Sequence, residues 1–272
     1  GLGDVYKRQR VLMALLPTIV TSAWSKLEQA ARVLSEVLQR IRKELRPGVT
    51  TLELDALAEE LIRSAGAEPA FKGYVVDGKR YPYTLCISIN HEVVHGMPSA
   101  ERRLQEGEIV SIDCGVRKNG YYADAAFTVG IGQISPEAEQ LLRVAEEALW
   151  LGIEQATPGR RVYDIAAAIQ RHVERHRYSV VRELTGHGIG RRLHEAPSVP
   201  NFVPTGSWRW RFPNERLREG QALAIEPMIT TGLPEVRVAP DGWTVYTADG
   251  SLAAHFEHTV LVANPPQVLT QW

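Results

Sequence analysis

Between residues 22 and 45 the apolar positions fall at Leu27, Ala30, Leu34, Val37, Leu38, Ile41 and Leu45, the three-and-four spacing of one helical face. Pro47-Gly48 stops that helix. Thr50 and Glu53 then stand at capping-box spacing and open a second helix, whose Leu54, Leu57, Leu61 and Ile62 point inward until Gly66. The same grammar returns later. Ser135-Pro136 opens a helix bearing Leu141, Leu142, Ala145 and Leu149, Pro158-Gly159 stops it, and residues 162–172 read as another.

After each helix pair the period shortens to that of strands. "LQEGEIVSID" (residues 104–113) and "LREGQALAIE" (residues 217–226) follow the two Pro-Gly stops at nearly the same offset, and each ends an apolar strand on a carboxylate. Helices followed by hairpins in both halves predict a duplicated α+β domain whose halves share one sheet. No Ser- or Gly-rich linker divides the chain, so residues 13–272 are expected to form one catalytic domain. Residues 1–12 carry no apolar period that joins the next element, and they read as a non-native or disordered leader ahead of Met13. "KRQRVLMALLPTIVTSA" has the outline of a secretory signal, but Pro17 breaks an apolar run that is already short.

Composition narrows the classes. A chain of 272 residues with 44% hydrophobic content can bury a core. The net charge of −1, with Lys and Arg scattered, gives no footprint for nucleic acid. No run of about 20 apolar residues is present, so no helix is expected to span a membrane. Cys86 and Cys114 are the two cysteines, spaced for neither a disulfide framework nor a thiolate zinc site, which fits a reducing cytoplasm.

The chemistry lies in the acids. "IVSIDCGVRKNGYYADAAFTVG" reads as a hairpin turning at Lys118-Asn119-Gly120. A loop centred between Lys118 and Asn119 would set Asp113 and Asp124 directly opposite each other, with Cβ atoms about 5 Å apart. Ile112, Ala125, Ala126 and Phe127 argue that the pair is buried rather than turned to solvent. Glu226 closes "ALAI", and Glu257 sits in the equally apolar "HFEHTVLV". Four buried carboxylates with no cluster of Lys or Arg in the same strands to offset them repel one another and lose hydration unless cations match them. Two divalent ions would do so, and oxygen ligands with one imidazole suit manganese, iron, cobalt or zinc. Such a pair of ions implies hydrolysis. In "GHGIGRRLHEAP" His187 is the better ligand, because Gly186 and Gly188 would let the backbone turn its ring inward. His194, and His95 in "VVHGMP", are placed to donate hydrogen bonds to a reacting amide. His91, His172, His176, His255 and His258 read as ordinary surface or core histidines.

The ordered set "SINHEVVHGMP", "SIDCGVRKNGYYADAAFTVG", "GHGIGRRLHEAP", "AIEPM" and "HFEHT" resembles type I methionine aminopeptidase from about Thr18 to the C-terminus. The resemblance implies the pita-bread fold, with pseudo-twofold halves around a curved antiparallel sheet, and removal of the initiator methionine from nascent polypeptides whose second residue is small. It implies that Asp113 chelates one metal, that His187 and Glu226 hold the other, and that Asp124 and Glu257 bridge the two. His194 would contact the scissile carbonyl and His95 the substrate amide, while Glu226 would take a proton from the attacking water. Tyr81, Cys86 and Trp243 match the pocket for the methionine side chain. The chain departs from the family at Val75 and Val94, where some members have cysteines, in the "DGKRYPYT" loop, and at residues 205–214, whose Trp208 and Trp210 read as surface packing or a contact for peptide or ribosome. A cytoplasmic monomer acting on nascent N-termini, with ribosome contact left open, is the implied setting. Two alternatives stand beside this reading. One is an X-Pro aminopeptidase or prolidase, which normally carries a large extra N-terminal domain; the other is a pita-bread binding module without catalysis.

Overall fold

The computed structural model describes residues 22–272, so the expectation for residues 1–12 lies outside the described residues. The first amphipathic stripe forms the helix Ser22–Glu44. Its Ala30, Leu34, Leu38 and Ile41 are fully buried across the hairpin formed by Ile109–Lys118 and Tyr121–Gly130. The second helix, Thr51–Ser64, opens with the expected capping box: the Thr50 hydroxyl accepts from the Glu53 amide at 3.1 Å, and the Glu53 carboxylate accepts from the Thr50 amide at 2.7 Å. Thr50→Ala should lower stability by about 1 kcal/mol, seen as a lower denaturant midpoint at unchanged slope. In the second half the helix Pro136–Ile153 ends before Pro158-Gly159, which belongs to the following turn rather than to the helix end. It packs on the helix Val162–Arg175, and Gly152 permits the approach, because a Cβ there would stand 2.8 Å from Ile169 Cδ1.

The repeat seen in the sequence is a repeat of hydrogen bonds. In the first half the Gly48 amide donates to the Leu104 carbonyl at 2.8 Å, and the Leu104 amide to Val49 at 2.9 Å. In the second half the Gly159 amide donates to Leu217 at 3.0 Å, and the Leu217 amide to Arg160 at 2.7 Å. Isolated bridges join Thr50 to Arg103 and Arg161 to Arg216. Each Gly that leads into a strand, Gly107 at φ +89° and Gly220 at φ +77°, occupies the left-handed region where a side chain would be strained.

The centre of the hairpin turn lies one residue later than expected, which moves each cross-strand pairing by two residues and keeps the acids on one face. Asn119 and Gly120 both have positive φ, +51° and +80°, and form a two-residue type I′ turn with Lys118 opposite Tyr121. Asp113 therefore faces Ala126, and Asp124 faces Gly115. The two acids are diagonal neighbours on one face, not direct partners. Cys86, in strand Leu85–Ile89, is the other cross-strand partner of Asp113 and shares that face.

The halves meet at a seam rather than in one continuous ladder. One sheet contains Glu68–Pro69, Ile109–Lys118, Leu85–Ile89 and Tyr121–Gly130; the other runs Glu195–Val199, Gly186–Gly188, Ala222–Ile225, His258–Leu261 and Gln267–Val268. Reciprocal backbone bonds between Ala126 and Glu257, at 2.8 and 3.3 Å, join them, and the Thr259 hydroxyl both donates to the Asp124 carbonyl and accepts its amide. The second hairpin is interrupted at Glu226-Pro227 and Phe256-Glu257, beyond which Met228–Thr230 pairs with Ala253–His255. Proline has no amide to continue the ladder, so the strands break where the two glutamates sit. Among the described residues, no helix is long and apolar enough to cross a membrane.

Candidate metal centre

The seam collects the acids. Asp124 projects from the first hairpin, Glu226 and Glu257 from the breaks in the second, and His187 from the middle of Gly186–Gly188. His187 Nε2 lies 3.5 Å from Glu226 Oε1 and 3.9 Å from Asp124 Oδ2. Asp124, His187 and Glu257 offer ligand atoms that all fall within 4.8 Å of one another. Asp113 lies outside that group, yet close enough to Asp124 and Glu226 for their charges to act on its carboxyl. Asp113, Asp124 and Glu257 are at most 9% exposed, and the Glu226 side chain is 13% exposed.

Burial pushes all four carboxyls up. Desolvation is the largest cause in each case, carrying Asp124 to about 7 and raising Asp113, Glu226 and Glu257 well above the usual carboxylate range, with mutual repulsion adding to these three. Asp113 Oδ1, Asp124 Oδ1 and Glu257 Oε1 are buried without a hydrogen-bond partner. Among the described residues the groups within ion-pair distance of Asp124, Glu226 and Glu257 are histidines, and burial pushes His187 down to about 3, so it is neutral. Unpartnered carboxylate oxygens around a neutral imidazole fit a divalent cation of the kind oxygen and nitrogen ligands bind.

The neutral form of His187 points the right way. Its Nδ1–H donates to the Gly188 carbonyl at 2.9 Å, which leaves the Nε2 lone pair facing the acids. Gly186 and Gly188 serve packing rather than backbone rotation, which corrects the sequence expectation. Neither has positive φ; both lie in a central strand, where a Cβ would stand 2.4 Å from the Ala224 carbonyl oxygen and 2.2 Å from that of Ala196.

His194 packs edge-on against His187, with ring centroids 4.3 Å apart, and reaches solvent at the rim. Its Nδ1 is 2.7 Å from the Tyr74 hydroxyl, a partner the sequence reading missed for want of any periodic or charge signal. Burial keeps the Tyr74 hydroxyl protonated, and in the tautomer where that hydroxyl donates to Nδ1 the proton of His194 lies on Nε2. His95 is held at φ +59°, a strained conformation for a histidine. The next residue anchors it: the Gly96 carbonyl accepts from Ile87 at 2.8 Å, and a Cβ at Gly96 would collide with the Ile87 carbonyl. Burial and the neighbouring His194 lower His95 to about 4.

The expected methionine-pocket residues cluster. Tyr81 and Trp243 meet edge to face at 5.1 Å, and Cys86 joins them with Phe71, Ile189 and Leu193 in an apolar patch. Burial raises the Cys86 thiol, which stays neutral, and the Tyr81 hydroxyl is occupied by the Leu85 carbonyl at 2.8 Å. Because Cys86 pairs with Asp113, this patch adjoins the acids. Val75 lies in the small Val75–Val76/Lys79–Arg80 hairpin and is exposed, whereas Val94 is buried. Trp208 stacks on Phe212 at 5.8 Å, while Trp210 is 91% exposed. His172, His176 and His258 sit in unrelated contacts, but His255 does not: it is buried beside Glu226 and Glu257, which corrects the reading that set it apart. Its position two residues before Glu257 was the signal available.

Comparison with known proteins agrees with this geometry. The pattern of metallopeptidase family M24 matches residues 25–264. The methionine aminopeptidase of Clostridium perfringens is 49% identical over 245 residues, which cover 90% of this chain and 94% of that protein. The crystal structure of a methionine aminopeptidase from Thermotoga maritima superposes with a TM-score of 0.86 at 39% identity, covering 95% of this chain and 100% of that one. The prolidase of Pyrococcus furiosus shares the fold, with a TM-score of 0.72 at 24% identity, over 99% of this chain and 68% of that one.

Proposed function

We infer that this chain, which belongs to metallopeptidase family M24, acts as a methionine aminopeptidase and hydrolyses the first peptide bond of polypeptides that begin with methionine. The observation that carries the reading is the convergence of Asp124, Glu226 and Glu257 on the neutral imidazole of His187, with Asp113 acting on them from beside the group and no buried Lys or Arg among the described residues to balance them. The higher identity to methionine aminopeptidases than to the prolidase favours this over X-Pro cleavage, and retention of all five expected ligands opposes a non-catalytic binding module.

Asp113, Asp124 and Glu257 would hold one divalent ion, and His187 and Glu226, with Asp124 and Glu257 shared, the second; cobalt, manganese, iron and zinc all suit the donors. When bound, the ions supply Lewis acidity and make water a stronger acid. Glu226, whose proton affinity burial raises, takes a proton at its carboxylate and returns it to the departing amine. His194 donates from Nε2 to the scissile carbonyl oxygen, where negative charge develops, with Tyr74 fixing its tautomer. His95 hydrogen-bonds the substrate amide. Tyr81, Cys86 and Trp243 receive the methionine side chain, whose sulfur packs well against ring edges. The free α-amine binds beside the acids, and the crowded histidine wall leaves room for a small second residue. In the cell the substrate is then the N-terminus of a nascent polypeptide, met in the cytoplasm by a monomeric enzyme at or near the ribosome.

Comparing kcat/KM for four peptides tests the reading. Met-Ala-Ser should be cleaved at least about tenfold faster than its Met-Lys, Leu-Ala and formyl-Met-Ala counterparts, because a misplaced methylene or a missing polar contact costs about that much or more. Preference for an X-Pro bond, or for leucine over methionine, would overturn it.

A further inference from the structure

His255 is held with unusual firmness for a residue outside the expected ligand set. Its amide donates to the Thr128 hydroxyl at 2.9 Å, and that hydroxyl donates back to the His255 carbonyl at 2.8 Å, so the first half of the molecule fixes the backbone of the second. The residue is 1% exposed. Neither ring nitrogen has a hydrogen-bond partner, although a buried polar atom left unmet costs stability. Nε2 lies 3.6 Å from Glu226 Oε2 and 3.9 Å from Glu257 Oε2. Those separations are too long for hydrogen bonds, but they approach the spacing of atoms that share one ion at about 2.0–2.2 Å each. The pattern matches that on the other side, where His187 Nε2 lies 3.5 Å from Glu226 Oε1. Glu226 thus stands between two imidazoles, one facing each of its oxygens.

We propose that His255 is itself a metal ligand, forming with Glu226 and Glu257 a site for a divalent cation. The inference rests on the reading of the acidic seam as a metal centre and adds a second imidazole to it. The added imidazole shifts the preference of the centre toward zinc, cobalt or iron and away from magnesium or calcium.

The test uses the full chain labelled with 15N histidine and loaded with 113Cd as the probe. Two histidine rings should show 15N–113Cd coupling, and His255→Gln, which keeps the volume and a polar end, should abolish one coupling and leave that of His187. Calorimetry should show the affinity for one of the two ions falling at least about tenfold in His255→Gln, with the other ion unaffected. Coupling at a single ring in the unsubstituted protein, or unchanged affinity for both ions in the variant, would overturn the assignment of His255. Failure of the underlying reading looks different: the unsubstituted protein would bind no cadmium, or bind it with His187 uncoupled.

Discussion

Alanine in place of His194 is expected to lower kcat about 100-fold or more while bound divalent metal stays near the wild-type level. The ring is 4.3 Å from that of His187 but presents Nδ1 to Tyr74, and with the Tyr74 hydroxyl as donor its remaining nitrogen carries a proton rather than a lone pair for a metal. Removing a donor aimed at a developing oxyanion lowers kcat more than it raises KM, because the interaction strengthens as charge accumulates. His187→Ala should do the opposite: metal content should fall, since its Nε2 lone pair faces Glu226 and Asp124, and activity should return in part with excess metal. Elemental analysis beside steady-state kinetics distinguishes the two. Loss of metal in the His194 variant, or full metal and rate in the His187 variant, would reverse the assignment.

Stripping the metal should make stability strongly pH-dependent. Asp124 rises to about 7 in the folded chain, so between about pH 4 and pH 7 the folded state binds more protons than the unfolded one. Stability is therefore full below the unfolded carboxylate pKa and is lost as pH climbs through the folded one. Asp113, Glu226 and Glu257 shift in the same direction. For Asp124 alone the loss is about 4 kcal/mol at neutral pH, or roughly 10 °C in Tm. Melting after chelation should show Tm falling by about that much from pH 4 to pH 8, and added manganese or zinc should reverse the fall. A flat profile in the metal-free protein would mean that the acids are not balanced by metal.

The parts of the fold that depend on neighbouring residues were legible from the chain. Thr50 and Glu53 close their cap within three residues, and the stripe from Leu27 to Ile41 carries its period inside one helix. The repeat was legible because the leads into the strands at Leu104 and Leu217 are the same short motif, although its hydrogen bonds run to Pro-Gly turns distant in the chain. Asp113, Asp124, Glu226 and Glu257 stood out because acids within or beside apolar strands are costly without a counter-charge, and His187 because it stands between two glycines.

What the sequence by itself determined was therefore which elements form and which residues are too polar for where they lie. Tertiary structure alone decided where those residues meet. The turn at Asn119-Gly120 moved Asp124 from opposite Asp113 to its diagonal, since register depends on two backbone conformations and shifts every pairing along the hairpin. Gly186 and Gly188 owe their identity to carbonyls of Ala224 and Ala196, brought against them by strands distant in sequence. His255 gained Glu226 across the interrupted second hairpin, and Tyr74 gained His194, 120 residues along the chain. A local pattern records the preferences of a residue and its near neighbours, but contact across a sheet depends on register, twist and the packing of the whole core, which no short stretch contains.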